Sequence, residues 1–156
     1  PPPPPPQGAP RPPPPPRRMR LAAGKSITAS SYTDVYPAPN AVDGNASTYW
    51  ESANNAWPQT LTVDLGATSQ VSRLVLKLPP ATAWGTRTQT IAVAGSTNGT
   101  SFSSIKAATG YTFNPSSGNT VTVPVTATQT RYLRLTFTAN TAWPAGQLSE
   151  LEAYSS

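Results

Sequence analysis

The sequence predicts an all-β fold, an antiparallel sandwich, from three observations. Short segments alternate apolar and polar residues with period two, turn-forming residues fall between them, and no stretch sustains apolar residues at i, i+3, i+4, i+7 spacing. In order along the chain, 60–66 carries Leu61, Val63 and Leu65 on one face, and 72–78 carries Leu74, Leu76 and Leu78. Val121 and Val123 alternate in the next run, and Leu133, Leu135 and Phe137 do so within 131–138. A last strand over 147–154 is expected to return and pair near the first. The punctuation between these runs is Asp43-Gly44-Asn45, Pro79-Pro80, Asn98-Gly99, Asn114-Pro115 and Ser117-Gly118-Asn119, all residue types that favour turns over ladders.

What the chain lacks excludes several kinds of chemistry. Its 156 residues include no Cys and no His. That removes disulfides, a thiol nucleophile, thiolate or imidazole zinc ligands, and a Ser-His-Asp triad. No apolar run is long enough to span a bilayer as a helix. The length suits one domain with a sizeable core.

Composition divides the chain in two. Residues 1–20 hold 12 of the 20 prolines, eleven of them in blocks Pro1–Pro6 and Pro12–Pro16 with Pro10 between. Proline fixes φ and removes the amide donor, so this segment is expected to be an extended polyproline II linker. It serves as a spacer to a preceding domain, or as a ligand for an aromatic-grooved domain. The chain opens on proline with no signal peptide, which reads as a fragment of a longer precursor. The net charge of +5 also belongs mostly to this tail, since Arg11, Arg17, Arg18 and Arg20 lie in it. Residues 21–156, the expected folded module, are close to neutral and offer no basic face for nucleic acid. An anionic partner for the tail alone stays open.

Two clusters in the module carry chemistry. Asn40-Ala-Val-Asp43-Gly44-Asn45-Ala-Ser-Thr48 is a tight, oxygen-rich turn. One carboxylate, a glycine and several carbonyls suit a hard cation such as Ca²⁺, although a plain Asp-Gly turn has the same composition. The second cluster is aromatic. Tyr32 and Tyr36 lie in 31–40, Trp57 in 51–60, Trp84 in 79–88 and Trp143 in 139–147. An indole plate matches the aliphatic face of a pyranose, and Asn54, Asn55, Arg87 and Gln147 can bond its hydroxyls. The alternative is that these rings cap the open end of the sandwich.

Ile27-Thr-Ala-Ser-Ser31, Ala41-Val-Asp43-Gly44 with Thr48-Tyr49-Trp50, Leu61-Thr-Val-Asp64-Leu65-Gly66, Gly95-Ser-Thr-Asn98-Gly99, Arg131-Tyr-Leu-Arg134-Leu135 and Ser149-Glu150-Leu-Glu152 occur in this order. The ordered set resembles the discoidin family, also called the coagulation factor 5/8 type C family, over about residues 22–155. Bacterial members include carbohydrate-binding modules of family 32, and the nearest likeness is to modules of secreted actinobacterial glycoside hydrolases.

The resemblance implies an eight-stranded jelly-roll sandwich with its variable loops gathered at one end, and Trp50 in the core. It implies a structural calcium held by the carbonyls of Asn40, Asn45 and Ser149, the carboxylates of Asp43 and Glu150, and Thr48 through hydroxyl and carbonyl, with sodium as the lesser alternative. It implies a secreted, monomeric, non-catalytic module that binds polysaccharide at Trp57, Trp84, Trp143, Tyr36, Asn54, Asn55, Arg87 and Gln147, attached to a catalytic domain. Galactose-binding relatives commonly use a His, which this chain lacks. Spread aromatics suit an extended chain, so the expected ligand is a glucan such as α- or β-1,3-glucan.

Two rivals stand beside this reading. An enzyme would need paired carboxylates; with Asp43 and Glu150 given to the metal and Asp64 to a turn, Asp34 and Glu51 are left as a nominal loop pair with nothing around them built for chemistry. An adhesion module binding lipid or protein would show basic loops, and here only Arg87 is basic, so attraction to anionic lipid is slight.

Overall fold

Two long strands set the architecture of this computed structural model, which describes residues 21–155. They are β3 (Gln59–Lys77) and β6 (Thr120–Asn140), paired antiparallel almost throughout. Each is wide enough to serve two layers. Residues 59–64 of β3 pair with 132–137 of β6, and 71–77 pair with 120–128. Register slips between Asp64 and Ser69 and again between Val71 and Arg73, the behaviour of a bulged, bending ribbon.

The first layer adds β1 (Ser26–Ala29) against β3, and β4 (Arg87–Ser96) with β5 (Ser103–Phe113) beyond β6. In the second layer β8 (Glu150–Tyr154) pairs with Arg73–Lys77 of β3. A separate two-stranded sheet joins β2 (Trp50–Glu51) to β7 (Gln147–Leu148). The architecture is all-β, antiparallel and sandwich-like, with eight strands.

The alternations read from sequence form the core. Leu61, Val63, Leu133, Leu135, Phe137, Ile91 and Val93 from the first layer meet Leu74, Leu76, Val123, Leu151 and Ala153 from the second in one buried cluster. Trp50 is fully buried, packs on Phe137 at 5.2 Å between ring centroids, and donates its indole N–H to the Ser31 carbonyl at 3.0 Å. That bond removes the desolvation penalty of burying an indole.

Strand boundaries differ from the expectation. The segment 60–66 and residues 72–77 belong to one strand, which ends just before Leu78, and the Val121–Val123 run and 131–138 belong to another. Gly66, at φ 88°, turns the chain locally without ending the strand, and its N–H bonds the Asp64 carboxylate at 2.8 Å. The returning C-terminal strand pairs with β3, not β1; at the start of the described chain the Leu21 N–H bonds the Ala153 carbonyl at 2.9 Å. The proline-rich linker lies outside the described residues.

Two predictions arise from the frame. A Cβ on Gly146 would lie 3.0 Å from the Trp50 ring and 3.1 Å from Phe137. Gly146→Ala is therefore expected to destabilise the module by about 1–2 kcal/mol through overpacking; an unchanged urea midpoint would contradict the packing. The second concerns Asp64, whose carboxylate pairs with Arg131 at 2.9 Å. The Arg131 guanidinium first, and the Gly66 N–H next, hold its pKa below the ordinary value. The pair thus stabilises the fold above the unfolded carboxylate pKa and loses that effect as pH falls through the lower folded value. Both side chains are partly exposed, so the effect is small. The Tm deficit of Asp64→Asn should shrink on acidification; a deficit that grows on acidification would contradict the pairing.

Candidate functional site

The inward face of β4 explains the site. Arg87, Gln89, Ile91 and Val93 share it by strand periodicity, and all four are buried. The face is apolar in the sandwich and becomes polar as it reaches the loop end. Gln89, fully buried, grips the backbone of Gln147: its Oε1 accepts from the Gln147 N–H and its Nε2 donates to the Gln147 carbonyl, both at 2.9 Å. A side-chain amide here stands in for a strand neighbour.

Gln147 is also the cross-strand partner of Glu51 in the β2–β7 pair. Its side-chain oxygen accepts from Arg87 Nη1 at 2.7 Å and Asn140 Nδ2 at 3.1 Å, and its Nε2 donates to Glu51 Oε1 at 2.7 Å. These contacts set the amide's orientation, because only this one gives every atom a suitable partner. Arg87 and Glu51 are 9% and 7% exposed, so an opposite pair of charges is held apart by one neutral amide beneath the surface. Burial lowers the Arg87 pKa, and the Glu51 charge partly restores it.

Aromatic rings wall this floor. The Arg87 guanidinium lies 4.9 Å from the centre of the Trp84 ring, a cation–π contact. Trp84 meets Tyr49 edge-on at 4.6 Å, and Tyr49 stacks on Tyr36 at 4.4 Å. Burial, then the hydrogen bond with Tyr36, pushes the Tyr49 phenol pKa up. Tyr49, Glu51, Ala83, Trp84, Arg87, Trp143 and Gln147 together line an open cleft of about 300 Å³, at the small end for a ligand site.

The four aromatic loops meet here, as expected. Glu51 N–H bonds the Tyr36 carbonyl at 3.1 Å, Asn55 N–H the Pro144 carbonyl at 2.7 Å, and Thr141 N–H the Thr88 carbonyl at 3.0 Å. Of the residues singled out from sequence, Trp84, Arg87, Trp143 and Gln147 come together in the cleft. Tyr36 stands behind Tyr49. Trp57, 37% exposed, and the exposed Asn54 and Asn55 lie on the neighbouring loop, outside the cleft lining. Tyr49 and Glu51 were not singled out as binding residues. Alternation about Trp50 was the available signal, since a Trp50 turned into the core leaves its two chain neighbours facing the other way.

The second cluster is also drawn together. Asp43 accepts from Asn45 N–H at 2.9 Å and from the Thr48 hydroxyl, and Thr48 bonds the Asn45 carbonyl at 3.0 Å. Asn40 donates its side-chain amide to the Tyr49 carbonyl at 3.1 Å. Glu150 meets this turn from β8. Its pKa is pushed up to about 7, by burial first and then by the Asp43 carboxyl, with the Gly44 N–H acting the other way. Glu150 Oε1 and Ser149 Oγ are buried without a partner. Two facing carboxyls and two orphaned oxygens beside a carbonyl-rich turn fit a hard cation.

An antiparallel sandwich with aromatic walls over a buried polar floor at one loop end has the build of a recognition module. The chain belongs to the F5/8 type C domain family, whose model matches residues 26–151. It is similar to the chitosan-binding module 1 of a chitosanase/glucanase from Paenibacillus sp. IK-5, at 26% identity, covering 87% of this chain and 98% of that one, TM-score 0.68. It is equally similar to the family 32 carbohydrate-binding module of AlyQ, solved with 4,5-unsaturated mannuronic acid, at 26% identity over 84% of this chain and 95% of that one, TM-score 0.67. The family 32 module of C. perfringens NanJ, solved with galactose, shares the fold at 22% identity over 84% and 93%, TM-score 0.71. No curated protein is matched by the sequence.

Proposed function

We propose that this chain is a non-catalytic carbohydrate-binding module that takes a glucan chain, such as an α- or β-1,3-glucan, across the cleft between Trp84 and Trp143. The observation that carries this reading is the floor Arg87–Gln147–Glu51 beneath two tryptophan walls. Among the described residues, Arg87 Nη2 and Glu51 Oε2 have no hydrogen-bond partner, and neither is a sealed, buried atom. They offer one donor and one acceptor to neighbouring hydroxyls, while the indoles cover the apolar face of the ring. The carbohydrate-binding modules among the structural neighbours support the class. The large apolar side chains left exposed among the described residues, Tyr32, Val35, Trp57 and Trp143, all lie on these loops. That favours a chain with several rings in contact over a single sugar.

The role follows from the class. A weak single site, on the order of 0.1–1 mM, becomes effective when tethered. The module accordingly holds an attached polysaccharide-degrading enzyme on its substrate, outside the cell, and acts as a monomer. Ca²⁺ at Asp43 and Glu150, completed by the Asn40, Asn45 and Ser149 carbonyls and Thr48, would neutralise the facing carboxyls and clip β8 to the 40–48 turn. Affinity electrophoresis through gels containing single soluble polysaccharides tests the ligand class. Retardation by a 1,3-glucan is expected; retardation by none, with the protein folded, would overturn the glucan assignment.

A further inference from the structure

The structural neighbours bind sugars of different charge, and the cleft of this chain holds a feature that bears on which charge it accepts. Glu51 is a buried carboxylate in the floor, anchored through one oxygen to Gln147 Nε2 at 2.7 Å, its other oxygen making no hydrogen bond to a described residue. Arg87 is anchored to the opposite side of the same amide at 2.7 Å. The Gln147 amide is largely taken up within the protein: its oxygen accepts two bonds and one N–H of Nε2 goes to Glu51, while the second N–H makes no bond to a described residue. Its backbone is held by Gln89. Gln147 is therefore mainly a positioning residue that keeps the two charged groups at a set separation, and the charged contacts left for a ligand belong to Arg87 and Glu51.

We propose that Glu51 determines specificity by charge: it cancels Arg87 within the cleft, so that the site accepts neutral sugars and rejects uronates. An arginine over an indole at a cleft floor would by itself favour a carboxylate, through a charge-assisted, bidentate contact. Glu51 opposes this. A uronate pairing with Arg87 must be desolvated beside a second carboxylate that the fold does not allow to move away. A glycosamine is disfavoured in turn by Arg87. A neutral ring with adjacent hydroxyls satisfies both groups, one hydroxyl oxygen accepting from Arg87 and the next hydroxyl donating to Glu51. This rests on the cleft being the sugar site, and sharpens that reading by naming the charge class of the sugar.

The test is Glu51→Gln, which is nearly isosteric and can keep the bond from Gln147 Nε2 through its amide oxygen. The full chain, wild type and variant, is titrated with a soluble β-1,3-glucan, an oligomannuronate and an oligoglucosamine, with the melting temperature of each protein recorded. In the wild type, glucan binding should exceed binding of both charged oligomers and be insensitive to salt, a result that needs no variant. In Glu51→Gln, oligomannuronate binding should rise on the order of tenfold and fall again with added salt. Adding Trp84→Ala should remove the gain. Wild-type binding of either charged oligomer as tight as the glucan would overturn the proposal, as would a folded Glu51→Gln protein with no gain for the uronate. If the wild type binds no glucan while the variant gains Trp84-dependent uronate binding, the charge selection stands and the glucan reading fails. If neither protein binds any of the three, both fail.

Discussion

Trp84→Ala is expected to weaken glucan binding at least about thirtyfold, the equivalent of roughly 2 kcal/mol, the scale of a buried aromatic anchor at the centre of a binding site. Trp84 contributes twice. It walls the cleft, and its ring faces the Arg87 guanidinium at 4.9 Å, helping to hold a charge that burial disfavours. Losing the ring therefore removes the sugar platform and loosens the donor beneath it. Trp84 also packs against the edge of the core, so some loss of stability will accompany the change. Trp143→Ala separates the two effects, because Trp143 is 46% exposed and its removal should weaken binding with little change in melting temperature. Isothermal titration of both variants checks this. Unchanged affinity in both would mean that the sugar binds elsewhere.

Stabilisation by Ca²⁺ at the proposed cation site is the second expected result. Burial first, and the facing Asp43 carboxyl second, push the Glu150 carboxyl pKa up to about 7. A divalent ion bound between the two carboxyls would convert that repulsion into coordination. At a free Ca²⁺ concentration about a hundred times its Kd, binding would stabilise the fold by about 2.7 kcal/mol. For a domain of this size that is a rise in Tm of roughly 8 °C. The sign of a second measurement is more telling. Glu150→Gln should be neutral or stabilising in chelator, since it relieves the facing carboxyls, and destabilising relative to wild type in Ca²⁺. Sodium in place of calcium should give a smaller shift. A melting temperature indifferent to chelator, or a Glu150→Gln protein equally destabilised in both conditions, would rule the cation out.

How far the sequence could be read depended on whether a signal was local. The core was legible because period-two alternation is a local property: Leu61, Val63, Leu74, Leu76, Leu133, Leu135 and Phe137 are all buried as the pattern requires. Strand lengths were not, because Gly66 looks like a terminator until β6 is known to run beside it and carry the ribbon through its register shift. At the site, Trp84, Trp143, Arg87 and Gln147 were found as loop aromatics and polar neighbours. Their division of labour was hidden. Gln147 reads in sequence as a free hydrogen-bonding group, yet its oxygen and one amide N–H are engaged by Arg87, Asn140 and Glu51, which only the tertiary approach of β2, β4 and β6 to β7 brings together. Glu51 was set aside as half of an improbable catalytic pair with Asp34. Its place beneath the cleft follows from standing opposite Gln147 and next to Trp50.

The most direct test of the account is an NMR titration of the ¹⁵N-labelled full chain with a 1,3-gluco-oligosaccharide, followed through the indole and backbone amide signals. The account predicts shifts at the Trp84 and Trp143 indoles and at the Tyr49, Glu51, Arg87 and Gln147 amides. The Trp50 indole, bonded to Ser31 in the core, should stay unmoved. Shifts confined to the hydroxyl-lined hollow around Ser96, Ser101 and Ser104, with the tryptophan signals unchanged, would contradict it.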